Sequence, residues 1–134
     1  MHTDVFLDHL SGEQHPSVLR QVMSKFFCYA TVFQAIELFS LARTKKELSA
    51  IEDSMAAMKL LGLNPKNAKH YGELMASRKR LDRWNLLIAG LCLESRLPLL
   101  TARRQDFAGV KGLQIIAPRL ISKYATAAEI LKAT

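Results

Sequence analysis

The chain has 134 residues, 49% of them hydrophobic and 23% charged, a composition that is typical of one globular domain with a sizeable core. No apolar run reaches the roughly 18 residues of a membrane-spanning helix, and no cationic stretch precedes an apolar one as in a signal peptide, so a cytoplasmic protein is expected. The net charge of +7 falls entirely in residues 78–134, which hold 11 Lys/Arg and 4 Asp/Glu, against 8 and 8 in residues 1–77. Such a basic half suits a polyanion such as RNA, or is a solvated cationic face.

The first half of the chain reads as helices around one strand. Residues 1–3 are too short for a strand, and the apolar spacing in 5–10 predicts a helical turn. Later signals are Pro16 at a helix start, aromatic and β-branched residues typical of a strand, and a Thr44–Glu47 capping-box pattern before a helix that stops at Gly62. The predicted elements are a helix from Pro16 to Phe27, a strand at Cys28–Phe33, a helix from Gln34 and a helix from Thr44 to about Leu61.

The second half alternates helices and strands. Asn64 and Pro65 predict a helix start, and a basic segment at 78–83 leads into an apolar helix. The predicted elements are a helix containing Tyr71 and Leu74, a helix at 84–95, strands at Leu99–Thr101 and Leu113–Ala117, and a terminal helix at Ser122–Thr134. Alternation of this kind predicts one α/β domain, residues 1–134, with a parallel sheet between helices.

The two cysteines, Cys28 and Cys92, lie in apolar stretches and are predicted to be buried free thiols. No Cys/His spacing indicates a zinc site, and no Gly-x-Gly-x-x-Gly or P-loop sequence indicates a nucleotide site on an unrelated α/β fold.

Oxygen ligands for Mg²⁺ or Mn²⁺ would have to come from acidic residues that are far apart in sequence. In parallel α/β sheets, ligands bind at the carboxyl edge of the strands, where Thr101 and Asp106 are expected. The acidic candidates are Asp4, Asp8, Glu37, Asp82 and Asp106.

Trp84, beside Arg83, is predicted to pack in the core or an interface rather than to stack on a nucleobase.

Four segments, in matching order and spacing, resemble the PIN domain family, whose members are metal-dependent ribonucleases and often toxins of toxin–antitoxin pairs. Thr3–Leu10 is similar to the family's opening Asp-Thr-Asn/Asp signature, and Thr31–Leu38 to its strand-to-helix signature ending in Glu-Leu. Asn85–Thr101 is similar to its Asp-x-x-Ile-Ala helix and Leu-Pro-Leu-Leu-Thr strand. Asp106–Ile116 is similar to its closing Asp-Phe and Gly-Leu-x-Val-Val elements.

Only some of the family's site residues have a counterpart of the same type in this chain. Glu37 and Asp106 match family acids, and Asp4 matches the Asn or Asp after the opening Thr. Asn85 replaces the third acid and keeps an oxygen but not the charge, and His2 replaces the first acid with a softer nitrogen. Arg103 stands where the family often has Asn or Asp just after the strand, and Asp82 is a possible substitute for Asn85 if both share a helix face.

The resemblance implies a VapC-like RNA-cleaving toxin with a PIN-like three-layer sandwich, a central parallel β-sheet and a truncated first strand. Its implied cofactor is Mg²⁺ or Mn²⁺, and its implied partners are RNA, a small antitoxin protein and a second copy in a homodimer, with no membrane. The implied catalytic and metal residues are Asp4, Glu37, Asn85, Asp106 and, for metal, His2; the supporting residues are Thr3, Asp82 and Thr101; the RNA-binding residues are Arg78, Lys79, Arg80, Arg83, Arg103 and Arg104.

Two alternatives remain open at the level of sequence. Because two acids are missing, the chain is either a weakened ribonuclease or a catalytically impaired PIN-fold protein that binds RNA or an antitoxin. Asp4 equally fits a helix N-cap, and Thr101 either bonds a site carboxylate or simply ends a strand.

Overall fold

The computed structural model describes residues 23, 26, 28–78, 80–121, 123, 124 and 126–133. The predicted turn at residues 5–10 and most of the helix from Pro16 lie outside these ranges. The same holds for the truncated first strand that the resemblance implies and for the candidate residues His2, Thr3, Asp4 and Lys79.

Helices and short strands alternate along the described part of the chain, as the sequence predicts. Three 3-10 turns, Pro65–Asn67, Arg104–Phe107 and Pro118–Leu120, join some of them. The elements are β1 (Tyr29–Thr31), α1 (Val32–Leu41), α2 (Lys45–Ala56), β2 (Lys59–Leu61), α3 (Ala68–Ser77), α4 (Arg83–Ser95), β3 (Leu99–Leu100), β4 (Ile115–Ile116) and α5 (Ala127–Ala133).

Among the described residues the strands pair in parallel as two two-stranded sheets, which confirms the predicted parallel α/β arrangement. β1 pairs with β2, with Ala30 opposite Leu60, and β3 pairs with β4, with Leu99 opposite Ile115. Parallel pairing of two strands close in sequence requires a crossover between them, and α1 and α2 provide the one between β1 and β2. The carboxyl ends of β1 and β3 lead directly into the segments that hold the candidate site residues.

The helix predicted from Thr44 to Leu61 is too long, and this prediction was wrong at its end. α2 stops at Ala56, and Lys59–Leu61 forms β2 instead. The Lys59 N–H donates to the Cys28 carbonyl oxygen at 3.4 Å, so the segment satisfies its backbone by pairing with β1. Leu60 is exposed, so the strand lacks the alternation of buried and exposed side chains by which a strand is usually predicted.

A capping box starts α1 earlier than predicted. The Thr31 hydroxyl accepts from the Gln34 N–H at 3.1 Å, and the side-chain carbonyl oxygen of Gln34 accepts from the Thr31 N–H at 2.8 Å. The expected cap at Thr44 is present, but the Glu47 carboxylate accepts from the Arg43 N–H rather than from that of Thr44. The Thr31 cap fixes where α1 begins, and therefore where Glu37 stands.

The described residues form two apolar clusters, and α4 is the main helix of the one that also holds Leu99, Phe107 and Val110. Ile88 and Ala89 are fully buried, and Leu86 and Leu91 nearly so, as expected of a helix surrounded by protein. Cys92 of this helix is buried and Cys28 half-buried; both are free thiols, as predicted, and burial raises the pKa of each.

α3 and α4 pack closely at Gly90. A Cβ built on Gly90 would lie 2.4 Å from the Tyr71 ring, whereas one on Gly72 of α3 would meet nothing within 4 Å. We therefore expect Gly90→Ala to lower the free energy of unfolding by about 1–3 kcal/mol through overpacking. Gly72→Ala should raise it by roughly 0.5–1 kcal/mol, because alanine favours a helix interior. Urea unfolding of both variants checks this, and equal effects of the two alanines would contradict the contact.

The same tyrosine ties the two helices together by hydrogen bonds. The Tyr71 hydroxyl donates to the Glu94 carboxylate at 2.6 Å, and the Asn67 side-chain amide donates to its other oxygen. Burial, and secondly the hydrogen bond to Glu94, raise the pKa of Tyr71 well above its ordinary value.

A raised folded-state pKa means that this contribution to stability is complete below about pH 10 and is lost as the pH rises through the folded value. The difference in tyrosinate absorbance between the protein and Tyr71→Phe should therefore develop above the pH of an ordinary tyrosine. A difference curve centred at the ordinary value would show that Tyr71 ionises freely.

Candidate functional site

One open depression collects most of the described candidate residues. Its volume is about 460 Å³, and it is formed by α1, the start of α4 and the segment after β3. The lining residues are Glu37, Arg80, Leu81, Asp82, Trp84, Asn85, Arg103, Gln105 and Asp106. The fold therefore brings together Glu37, Asn85 and Asp106, which are far apart in the sequence.

The start of α4 positions Asn85. Asp82 is the N-cap of this helix, and its Oδ1 accepts from the Trp84 N–H at 2.8 Å and from the Asn85 N–H at 3.2 Å. Asp82 thus lines the depression and also has a structural role. Asn85 is half-buried and lies in the first helical turn, where a negative charge would be favoured by the helix dipole.

Asp106 lies in the 3-10 turn after β3 and is positioned by its neighbours. Its Oδ2 is 3.6 Å from Arg103 Nη1, and because the two side chains are 31% and 64% exposed, the ion pair contributes little to stability. Thr101 is 1% exposed, and its hydroxyl accepts from the Arg103 N–H at 3.0 Å. Thr101 therefore shapes the loop that presents Arg103 and Asp106.

The predicted basic residues divide into two groups. Arg80 and Arg103 line the acidic depression, and Arg80 also lines an adjoining one with Arg78, whose Nε donates to the Gly109 carbonyl at 2.7 Å. Arg83 and Arg104 are exposed and line neither. Two positive side chains thus stand among the acids, with a third nearby.

The described acids do not by themselves form a divalent-cation site. Among the described residues, no three His, Cys, Asp or Glu side chains converge closely enough to hold a metal ion. Asp82 is engaged as a helix cap, Asp106 is paired with Arg103, and Asn85 is uncharged. The remaining predicted ligands, His2 and Asp4, lie outside the described residues.

Trp84 was predicted to pack in the core or an interface, and its placement in the core was wrong. It is 41% exposed and lines the depression, with its ring centroid 5.9 Å from that of Phe33 at 68°. The first turn of α4, which holds Trp84, extends beyond the core. Gln105 is another lining residue that sequence reasoning missed, because no motif marks it.

Comparison of the whole chain with known proteins gives likeness in structure only. No protein-family profile matches the sequence, and no curated protein is significantly similar to it. Over 87% of this chain and 95% of the other, the fold matches that of a chain in DNA-bound VapBC from Salmonella typhimurium, with a TM-score of 0.75 and 16% identity. A chain in VapBC2 from Rickettsia felis, bound to a DNA fragment from their promoter, matches over the same shares with a TM-score of 0.72 and 15% identity.

These matches confirm the VapC-like PIN fold that the sequence motifs predicted. At this level of identity the likeness concerns the fold alone. No helix among the described residues is both long and apolar enough to cross a membrane.

Proposed function

We propose that the chain is a VapC-like member of a toxin–antitoxin pair that binds RNA at the depression and whose power to cleave RNA is strongly reduced. One observation carries the proposal: Asn85 stands beside Glu37 and Asp106, where the PIN resemblance expects a third acid, while Arg103 pairs with Asp106. The uncharged Asn85 and the Arg103–Asp106 pair weaken the depression as a cation site, and Arg80 and Arg103 offer contacts to a phosphate there.

The RNA part of the proposal rests on charge and shape. Guanidinium groups bind phosphate oxygens in a bidentate manner, and Arg80 and Arg103 are both exposed at the rim of an open depression. Arg78 extends the basic surface into the adjoining depression. Together with the net charge of +7, these groups favour an extended polyanion.

The reduced activity follows from the acidic set. When bound, Mg²⁺ or Mn²⁺ supplies an activated water and relief of phosphate charge in phosphodiester cleavage. Glu37, Asp82 and Asp106 line the depression. Among the described residues, however, no three such side chains converge closely enough to hold a metal ion. A second candidate, a slow metal-dependent ribonuclease, is favoured by the fact that these three acids line one depression.

An antitoxin partner is proposed because the two similar structures named above are of VapBC complexes. Large apolar side chains on α1 offer a surface for it: Ile36 and Leu41 are each 51% exposed, and Phe39 is 39% exposed. A homodimer, common in the family, is the other proposed assembly.

RNA binding and cleavage by the full chain test the proposal together. A short fluorescent single-stranded RNA should bind with an affinity that falls steeply between about 50 and 200 mM salt. On denaturing gels, Mg²⁺ or Mn²⁺ should give little or no cleavage above a chelator control. Absence of binding at about 50 mM salt would refute RNA as the ligand. Rapid metal-dependent cleavage would refute reduced activity and select the second candidate.

A further inference from the structure

Trp84 presents a large aromatic surface at the edge of the acidic and basic depression. It is 41% exposed, although a tryptophan is usually well buried in a folded domain. It lines the same depression as Arg80 and Arg103, and so stands beside the proposed phosphate contacts. An exposed indole next to two guanidinium groups is the combination with which proteins bind unpaired nucleotides.

The indole is held in place. The Phe33 ring packs against it edge to face, with 5.9 Å between centroids. The backbone N–H of Trp84 donates to the Asp82 cap at 2.8 Å, which fixes the backbone from which the indole projects. An aromatic side chain that is already ordered loses little conformational entropy when a base stacks on it. Phe33 lies on α1 and Trp84 on α4, so the two helices that carry Glu37 and Asn85 also build this platform.

We propose that Trp84 is a stacking platform for an unpaired nucleobase, and that it gives the depression a preference for single-stranded over double-stranded RNA. The inference rests on the proposed function, because the arginines supply the phosphate contacts. A volume of about 460 Å³ is within the usual range for a small-ligand site. Bases in a duplex are stacked and paired internally, so they cannot reach the indole. Gln105, also exposed in the depression, offers hydrogen bonds to a base edge.

The sequence provides a direct probe, because Trp84 is the single tryptophan of the chain. Titration with a short single-stranded RNA should quench the indole fluorescence, with the same midpoint as the anisotropy change of the labelled RNA. The same RNA in a duplex should change the anisotropy without comparable quenching. This measurement uses the unmodified protein, so it does not depend on the folding of any variant.

Variants then separate stacking from charge. Trp84→Leu should weaken single-strand binding about 5- to 150-fold, the range for loss of one stacked base, and leave duplex binding nearly unchanged. Trp84→Phe keeps an aromatic face and should lose clearly less. Leu48→Ala is the control for loss of an exposed apolar side chain, since Leu48 is similarly exposed, at 40%, but does not line the depression. Thermal melts confirm that each variant is folded.

The outcomes distinguish this inference from the function on which it rests. If RNA binds but neither quenches Trp84 nor responds to Trp84→Leu, the stacking inference is overturned and RNA binding stands. Equal quenching by the duplex overturns the single-strand preference. If no RNA binds at low salt, the proposed function fails and the inference fails with it.

Discussion

Replacing Asn85 with aspartate is expected to increase metal-dependent RNA cleavage by at least about 100-fold. The change restores a carboxylate in the depression that already holds Glu37, Asp82 and Asp106. Position 85 is in the first turn of α4, so the new charge also interacts favourably with the helix dipole and should not destabilise the fold. Cleavage of a labelled RNA with Mn²⁺, compared with a chelator control, measures the effect.

A second measurement on the same variant does not depend on activity. Ligand binding to the folded state raises thermal stability, so Mn²⁺ should raise the Tm of Asn85→Asp more than that of the unmodified chain. Asn64→Asp is the matched control: the same chemical change on an exposed residue outside the depression, where aspartate can keep the cap on the Lys66 N–H. Adding Glu37→Gln to Asn85→Asp should remove the gain. An Asn85→Asp variant that binds Mn²⁺ no better and cleaves no faster would show that position 85 is not part of an acidic site.

Glu37, Asn85 and Asp106 line one depression, and each lies after a boundary that neighbouring residues encode. Glu37 follows the Thr31 cap by two turns, Asn85 follows the Asp82 cap, and Asp106 follows the short strand β3. Caps and strand ends are set by neighbouring residues, and in parallel α/β folds ligands bind beyond the carboxyl ends of the strands. The family motifs that hold these three residues each span such a boundary, which is why a resemblance in sequence could relate residues that the fold brings to one depression.

What the sequence could not predict depends on distant contacts or on the exact ends of short elements. Lys59–Leu61 becomes a strand by pairing with Tyr29–Thr31. Three residues are too few to show the hydrophobic periodicity from which a strand could be predicted. The exposure of Trp84 depends on where α1 places Phe33, and the pairing of Arg103 with Asp106 depends on the turn after β3. The role of Asp82 as a cap was decided by the first residue of α4, which sequence patterns locate only to within a few residues.

Reversing two charges in the depression should nearly abolish RNA binding. The double variant Arg80→Glu/Arg103→Glu replaces both lining cations with carboxylates beside Glu37 and Asp106, so each lost attraction becomes a repulsion. We expect RNA affinity to fall about 100-fold or more at low salt. The negative slope of log affinity against log salt should become shallower by about 1.4, as expected for two lost phosphate contacts on a single strand. Both side chains are exposed, so stability should change little. Anisotropy titrations at several salt concentrations provide the measurement.

The control must separate a local site from the overall charge of +7. Lys45→Glu/Lys46→Glu lowers the net charge by the same four units on exposed residues in the first turn of α2, where acidic side chains suit the helix dipole. If RNA binds at the depression, this variant should keep most of its affinity, losing only the long-range attraction that salt screens. Equal losses in the two double variants would mean that RNA is held by net charge over the whole surface. The depression would then not be the specific RNA-binding site.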